Sequence, residues 1–344
     1  MTVRRAVVDL ASSRAVWQIP DESVATIRRA LGRGWELIHV DSPSMSDGDG
    51  AAPSPEAVEA ARGAEVYMGW GVAPAVVEAA GASLKWVHSG AAGVGASISD
   101  ELRDSGAILT NSKGLHAEPI ADWVVAAVAF CARGLHMAAA AQREGRWAKD
   151  VFTDGSVTLR ELSSLTVGIV GLGGIGKAVA RRCKALGMSV RGIDRRPMPR
   201  RPAGVEWVGG AEDLIELARA SDFLVVAAPH TAETKHLVDA RVLAALPEEA
   251  YVINASRGAL VDEDALLEAL ESGRVAGCML DVFAHEPLHA DHPFWTHPRV
   301  FVSPHVSCVS ERFWERETSL IVENIERYRA GKRLKNVVDL NAGY

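Results

Sequence analysis

Short apolar runs of four to eight residues alternate with helix-patterned segments along most of this chain. From residue 3 to about 110 the runs are Val3–Leu10, Glu36–Val40, EVYM, LKWVH and AILT. From about 165 to 305 they are LTVGIV, SVRGID, FLVVAA, YVINA, AGCMLDV and VFVSPH. A strand that is apolar throughout is buried on both faces, as in a parallel sheet covered by helices. The alternation therefore predicts α/β architecture with doubly wound parallel sheets. The length, 344 residues, suits about two such domains. Between the two series, EPIADWVVAAVAFCARGLHMAAAAQREGRW is alanine-rich and predicts one long helix, with Gly134 as a possible bend. After them, SERFWERETSLIVENIERYRAG predicts a helix on the spacing of Leu320, Ile321, Ile325 and Tyr328. The stretch SPSMSDGDGAAPSP predicts a loop.

Composition narrows the function classes. The net charge of -7 speaks against a nucleic-acid surface. No basic amphipathic segment suggests a membrane surface, and no apolar run has the length of a spanning helix. Cys131, Cys183, Cys278 and Cys308 are scattered and lack metal-ligand spacing, which fits free thiols in a reducing compartment. The N-terminus lacks a signal-peptide core, so the expected location is cytoplasmic.

Residues 167–177 read VGIVGLGGIGK, with Gly171, Gly173 and Gly176 in the spacing G-x-G-x-x-G between a strand and a helix. Such a turn lets the backbone approach a pyrophosphate, and the helix N-terminus offers it free N–H groups. The next strand run ends at Asp194, where a carboxylate accepts hydrogen bonds from ribose hydroxyls and repels a 2′-phosphate. NAD(H) is thereby favoured. Arg195 and Arg196 pull the other way, because a neighbouring arginine can hold the phosphate of NADP(H).

Arg257 in NASRG, Glu286 in DVFAHEP and His305 in SPHVS each follow an apolar run. Ligands of open α/β sheets lie beyond the carboxyl ends of the strands, so these three residues can meet beside a nicotinamide. Reduction of a 2-oxo acid needs a hydride and a proton. A histidine donates protons near neutrality, a glutamate orients it, and an arginine fork holds a carboxylate. The bland alternative for Arg257 is an internal ion pair. His285, His289, His292 and His297 crowd the same loop but lack a helical ligand pair, so no metal is expected.

VGLGGIG, PHTAETKHLV, NASRGALVDEDAL, LDVFAHEP and SPHVS, in this order, resemble the D-isomer-specific 2-hydroxyacid dehydrogenases, and in particular glyoxylate/hydroxypyruvate reductase-like members. The resemblance implies two Rossmann-like domains, the NAD domain inserted into the substrate domain. Residues 1–116 and 308–344 would form the substrate-binding, flavodoxin-like domain. Residues 117–307 would form the NAD-binding domain with a long dimerisation helix, in a homodimer. It implies that Arg257 binds and activates a small 2-oxo or 2-hydroxy acid, that His305 is the acid/base and that Glu286 is its partner. Ala92 and Gly93, in SGAAGVG, match the loop whose N–H groups hold the substrate carboxylate. Gly174 and Ile175 match the phosphate turn. Pro229, Thr234, Ala255, Ser256, Asp281, His305 and Ser307 match cofactor-contacting positions, Asp281 facing the carboxamide.

The chain departs from the common pattern at Gly95, where many members have aspartate, at Pro229-His230-Thr231 and at SPHVSCVSERFW. These departures bear on substrate identity. Two other functions share the motifs: an NAD-sensing corepressor-like binding module, and an oxidoreductase acting on another small anion such as phosphite. Fold alone does not choose among them.

Overall fold

The computed structural model describes residues 3–44, 48–196 and 198–343. The predicted loop at 42–55 includes 45–47, which lie outside the described residues. The chain forms two compact units, Met1–His116 with Val309–Tyr344, and Ala117–Cys308. The second crossing thus falls between Cys308 and Val309, one residue later than the sequence suggests.

In the first unit the elements are β1 (Arg4–Asp9), α1 (Asp21–Leu31), β2 (Trp35–His39), α2 (Pro55–Ala60), β3 (Val66–Gly69), α3 (Pro74–Ala80), β4 (Trp86–Ser89), α4 (Asp100–Ser105) and β5 (Ile108–Asn111). The strands pair in parallel in the order β2-β1-β3-β4-β5. This is the doubly wound flavodoxin-like order, with its switch between β1 and β3. β3 and β4 are buried at every residue, which is why their sequences carry no polar alternation.

The second unit opens with α5 (Ala117–Ala132) and α6 (Leu135–Arg143). The sequence suggests one helix here; the structure has two, bent by 74°. Gly134 takes φ 62°, a left-handed conformation that ends the first helix. No single helix among the described residues is long and apolar enough to cross a membrane. There follow β6 (Thr166–Val170), α7 (Gly174–Ala185), β7 (Ser189–Ile193), β8 (Trp207–Gly209), α8 (Leu214–Arg219), β9 (Phe223–Val226), α9 (Ala240–Ala245), β10 (Tyr251–Asn254), α10 (Glu263–Glu271), β11 (Gly277–Leu280) and β12 (Val300–Val302). The seven strands run in parallel in the order β12-β11-β10-β9-β6-β7-β8. β8 is absent from the sequence reading because its three residues are only half-buried and follow no apolar run. The order reverses at β6 and β9, so a crevice opens beyond their carboxyl ends.

The chain then returns to the first unit as α11 (Phe313–Arg329), which packs along α1. Its buried face carries Phe313, Leu320, Ile321 and Ile325, but also Glu317 and Asn324.

Candidate active site

The glycine turn sits at the switch point of the second sheet. Gly171 has φ 98°, and a Cβ there would lie 2.8 Å from the Ala228 backbone. At Gly176 a Cβ would lie 2.0 Å from the Gly171 carbonyl oxygen, so helix α7 could not approach β6 with any larger residue. A Cβ on Gly173 would meet nothing within 4 Å. The turn is thus closed against the protein at two glycines and open at the third, beside the unsatisfied N–H groups that begin a twelve-residue helix. That cradle fits a dinucleotide pyrophosphate.

Asp194 follows β7, and its carboxylate turns inward. It accepts the Leu172 N–H at 3.1 Å and the Arg196 N–H at 3.0 Å. Its side chain is only 11% exposed, whereas that of Arg196 is 70% exposed. Arg195 is held by Glu233 at 2.5 Å. A cavity beside these residues is lined by Asp194, Arg195, Arg196, Arg201, Trp207 and Gly210. Across the switch point, Thr234 donates to the Pro229 carbonyl at 2.8 Å, and Ser256 donates to that of Ala228. Both hydroxyls therefore shape the loop. Ala255 is buried, and Ile175 packs on the core.

Arg257, Glu286 and His305 follow β10, β11 and β12, three neighbouring strands. The Asn254 side chain clamps the first turn, accepting the Ser256 N–H at 3.1 Å and donating to the Arg257 carbonyl at 3.0 Å. Gly258 comes so close to the next loop that a Cβ would lie 1.8 Å from the Phe283 carbonyl carbon. Arg257 is exposed, and its Nη1 donates to the Ser256 carbonyl at 2.7 Å. Among the described residues no carboxylate lies within ion-pair distance of it, so the internal ion pair is not what this structure contains.

Glu286 accepts the Phe283 N–H at 2.9 Å through one oxygen and meets His305 Nδ1 at 2.7 Å through the other. Burial opposes its charge, but these two hydrogen bonds, with the charges of His305 and Arg257, outweigh burial and hold its carboxyl below the ordinary value. With Glu286 ionised, the His305 proton sits on Nδ1, an assignment inferred from the hydrogen bond. His305 has φ 54° and donates its N–H to the Asp281 carbonyl at 2.8 Å.

Asp281, read from the resemblance as facing a carboxamide, is fully buried. Its carboxylate accepts Ser303 Oγ at 2.5 Å and the N–H groups of Val306 and Ser307 at 2.9 Å each. In this structure it fixes the segment that carries His305, a role the motif spacing does not reveal. His292 and His297 accept local N–H groups from Phe294 and Arg299. Among the described residues no three metal-ligating side chains gather.

Ala92 and Gly93 lie in the first unit, in the loop that follows β4. The carbonyls of Ala91 and Ala92 accept from Ser112 N at 3.1 Å and Asn111 Nδ2 at 2.7 Å.

Comparison with known proteins gives the family. Residues 125–307, more than half the chain, match the model of the D-isomer specific 2-hydroxyacid dehydrogenase, NAD binding domain. The chain belongs to the D-isomer specific 2-hydroxyacid dehydrogenase family. This is a family of NAD(P)-dependent oxidoreductases acting on CH–OH groups. A glyoxylate reductase of Korarchaeum cryptofilum is 34% identical over 70% of this chain and 71% of its own length. A D-3-phosphoglycerate dehydrogenase of Methanocaldococcus jannaschii is 31% identical over 73% of this chain; the match spans about half of that relative, 47%. The crystal structure of a family member from Xanthobacter autotrophicus Py2, in complex with NADPH and MES, covers 100% of both chains with a TM-score of 0.79 and 30% identity.

Proposed function

We propose that this protein reduces a small 2-oxo acid of the glyoxylate or hydroxypyruvate kind to the corresponding 2-hydroxy acid. The observation that carries the reading is the paired Glu286 and His305 beside an arginine with no carboxylate partner among the described residues. Arg257 binds the substrate carboxylate through its planar fork and draws electron density from the adjacent carbonyl. In the first unit, the loop of Ala92 and Gly93 offers backbone N–H donors of the kind that hold a carboxylate. The nicotinamide cofactor supplies the hydride when bound. His305 donates the proton to the carbonyl oxygen through Nε2, and Glu286 stabilises the imidazolium before transfer. The N–H groups at Gly174 and Ile175 hold the pyrophosphate. Pro229, Thr234, Ala255, Ser256 and Ser307 shape the walls along the dinucleotide, and Asp281 steadies the loop of His305.

Cofactor preference follows from the outward charge beside Asp194. Its carboxylate accepts two backbone N–H groups, and the mostly exposed Arg196 guanidinium lies 3.8 Å from it as its ion-pair partner. This favours NADPH more than the sequence alone does, and the Xanthobacter relative was crystallised with NADPH. The deciding experiment follows loss of absorbance at about 340 nm, the reduced nicotinamide band, on purified protein given glyoxylate, hydroxypyruvate, pyruvate or phenylpyruvate with NADH or NADPH. Turnover of at least one acid is expected, with NADPH no worse than NADH. Dinucleotide binding without turnover of any acid would replace this reading with the sensing module.

A further inference from the structure

The loop after β4 is built on a polar core that the reaction described above leaves unexplained. His88, Ser89, Thr110, Ser112 and Glu317 are all fully buried, and Asn111 is nearly so. Hydrogen bonds join His88, Ser89, Thr110, Ser112 and Glu317 within the first unit, and Asn111 lies between Thr110 and Ser112 in the chain. His88 Nε2 meets Glu317 Oε1 at 2.8 Å, and Ser112 Oγ donates to Glu317 Oε2 at 2.8 Å. Thr110 Oγ1 lies 2.9 Å from His88 Nδ1 and accepts Trp86 Nε1–H at 2.8 Å. A buried carboxylate is costly unless paired and hydrogen-bonded. Glu317 has both partners, yet apolar residues would fill the same helix face at less cost.

The network ends at the loop. Ser112 N–H holds the Ala91 carbonyl, and Asn111 Nδ2 holds that of Ala92. Ser89 Oγ accepts the Ala91 N–H at 3.2 Å and donates to the Trp70 carbonyl at 2.9 Å. In a planar trans peptide the carbonyl and the next N–H point in opposite directions. Fixing the carbonyls of Ala91 and Ala92 therefore turns the N–H groups of Ala92 and Gly93 away from the residues that hold them. Among the described residues neither N–H has an acceptor, and both residues are partly exposed.

We propose that Ser112, locked by the buried Glu317–His88 pair, and Asn111 beside it in the chain are positioning residues that aim the Ala92 and Gly93 N–H groups at a substrate carboxylate. The inference rests on the reading that this loop holds a carboxylate. Glu317 reaches the network from α11, more than two hundred residues along the chain from Asn111 and Ser112. The C-terminal helix thereby takes part in substrate binding without touching substrate.

The test compares wild type with Asn111→Leu, Ser112→Ala and Glu317→Gln, using calorimetry with oxamate, an unreactive 2-oxo acid analogue, and kinetics with glyoxylate. Asn111→Leu keeps the volume and removes the donor. Oxamate affinity is expected to fall about ten-fold, as for a lost hydrogen bond to a charged group. The KM for glyoxylate should rise with it, kcat should change less, and dinucleotide affinity should stay unchanged. Glu317→Gln keeps an acceptor for Ser112 Oγ but removes the charge that meets His88, so oxamate affinity should fall by less than in Asn111→Leu; affinity equal to wild type would release the Glu317–His88 pair from the positioning role. If Asn111→Leu and Ser112→Ala melt earlier but bind oxamate as wild type does, the network is only structural and the proposal falls. Oxamate failing to bind wild-type protein would instead overturn the carboxylate-loop reading itself, and the proposal with it.

Discussion

His305 has one ring nitrogen committed to Glu286, and the other is the one that can face a reacting oxygen. Replacing His305 with Ala is expected to lower kcat by about 10²–10⁴-fold, the usual contribution of a positioned acid/base. Dinucleotide affinity, measured by fluorescence titration, should hardly move. Turnover equal to wild type would remove His305 from the mechanism. Glu286 adds a pH signature. Its carboxyl titrates lower in the folded protein than an ordinary glutamate near ~4.3, so its stabilisation is present above that value and is lost as pH falls through the lower folded one. Glu286→Gln should therefore flatten the loss of melting temperature on the acid side. A melting profile parallel to wild type down to pH ~3 would show that the two hydrogen bonds do not stabilise the charge. For Arg257 the informative change is to Lys, which keeps the charge and loses the fork. KM for the oxo acid is expected to rise about ten-fold or more, and an unchanged KM would return Arg257 to a structural role.

Elements bring these side chains together through backbone contacts that only small residues permit. Gly258→Ala would drive a Cβ into the Phe283 backbone, so either the turn of Arg257 or the loop of Glu286 must move. The expected cost is at least about 1–3 kcal/mol in urea unfolding, with activity falling further than stability. Wild-type stability and turnover in this variant would mean the two loops separate without consequence. The sequence made the strands, the glycine turn and the Arg–Glu–His set legible, because each is a local pattern: continuous apolar runs, fixed glycine spacing, charges at strand ends. It pointed to Gly134 as a bend in one long helix but not to an end of the helix there, since a helix of alanines tolerates or ends at a glycine depending on what packs around it. Here a Cβ would meet Leu159 at 2.9 Å and Phe152 at 3.0 Å. Glu317 and Asn324 were equally hidden, because helical periodicity registers apolar spacing and treats a carboxylate as the outer face. The resemblance turns Asp281 toward the cofactor, and its hydrogen bonds to the 303–307 segment depend on the folding of a loop no local pattern describes.

At the scale of the whole molecule the exposed apolar surface of the second unit bears on association. Single exposed apolar side chains are normal on a soluble surface. The second unit has a different arrangement: Trp295 and Phe301, 49% and 41% exposed, line one groove with Phe130, His136 and Tyr251. Phe130 and Phe301 meet edge to face with centroids 5.5 Å apart. Leu135 and Trp147, 50% and 91% exposed, belong to the same unit. A two-fold contact places the same patch on both partners, so an apolar groove and protruding aromatics on one unit can serve each other across the axis. A stable contact of this kind buries at least about 1,200 Å² in total. The expected outcome is a particle of twice the 36.7 kDa chain mass in sedimentation at micromolar concentration. Phe301→Glu should shift it toward the single-chain mass, because a carboxylate desolvated in that groove has no partner. Wild-type protein sedimenting as one chain would mean that the groove does not bind a second copy, and the homodimer implied by the resemblance would then be dropped for this chain.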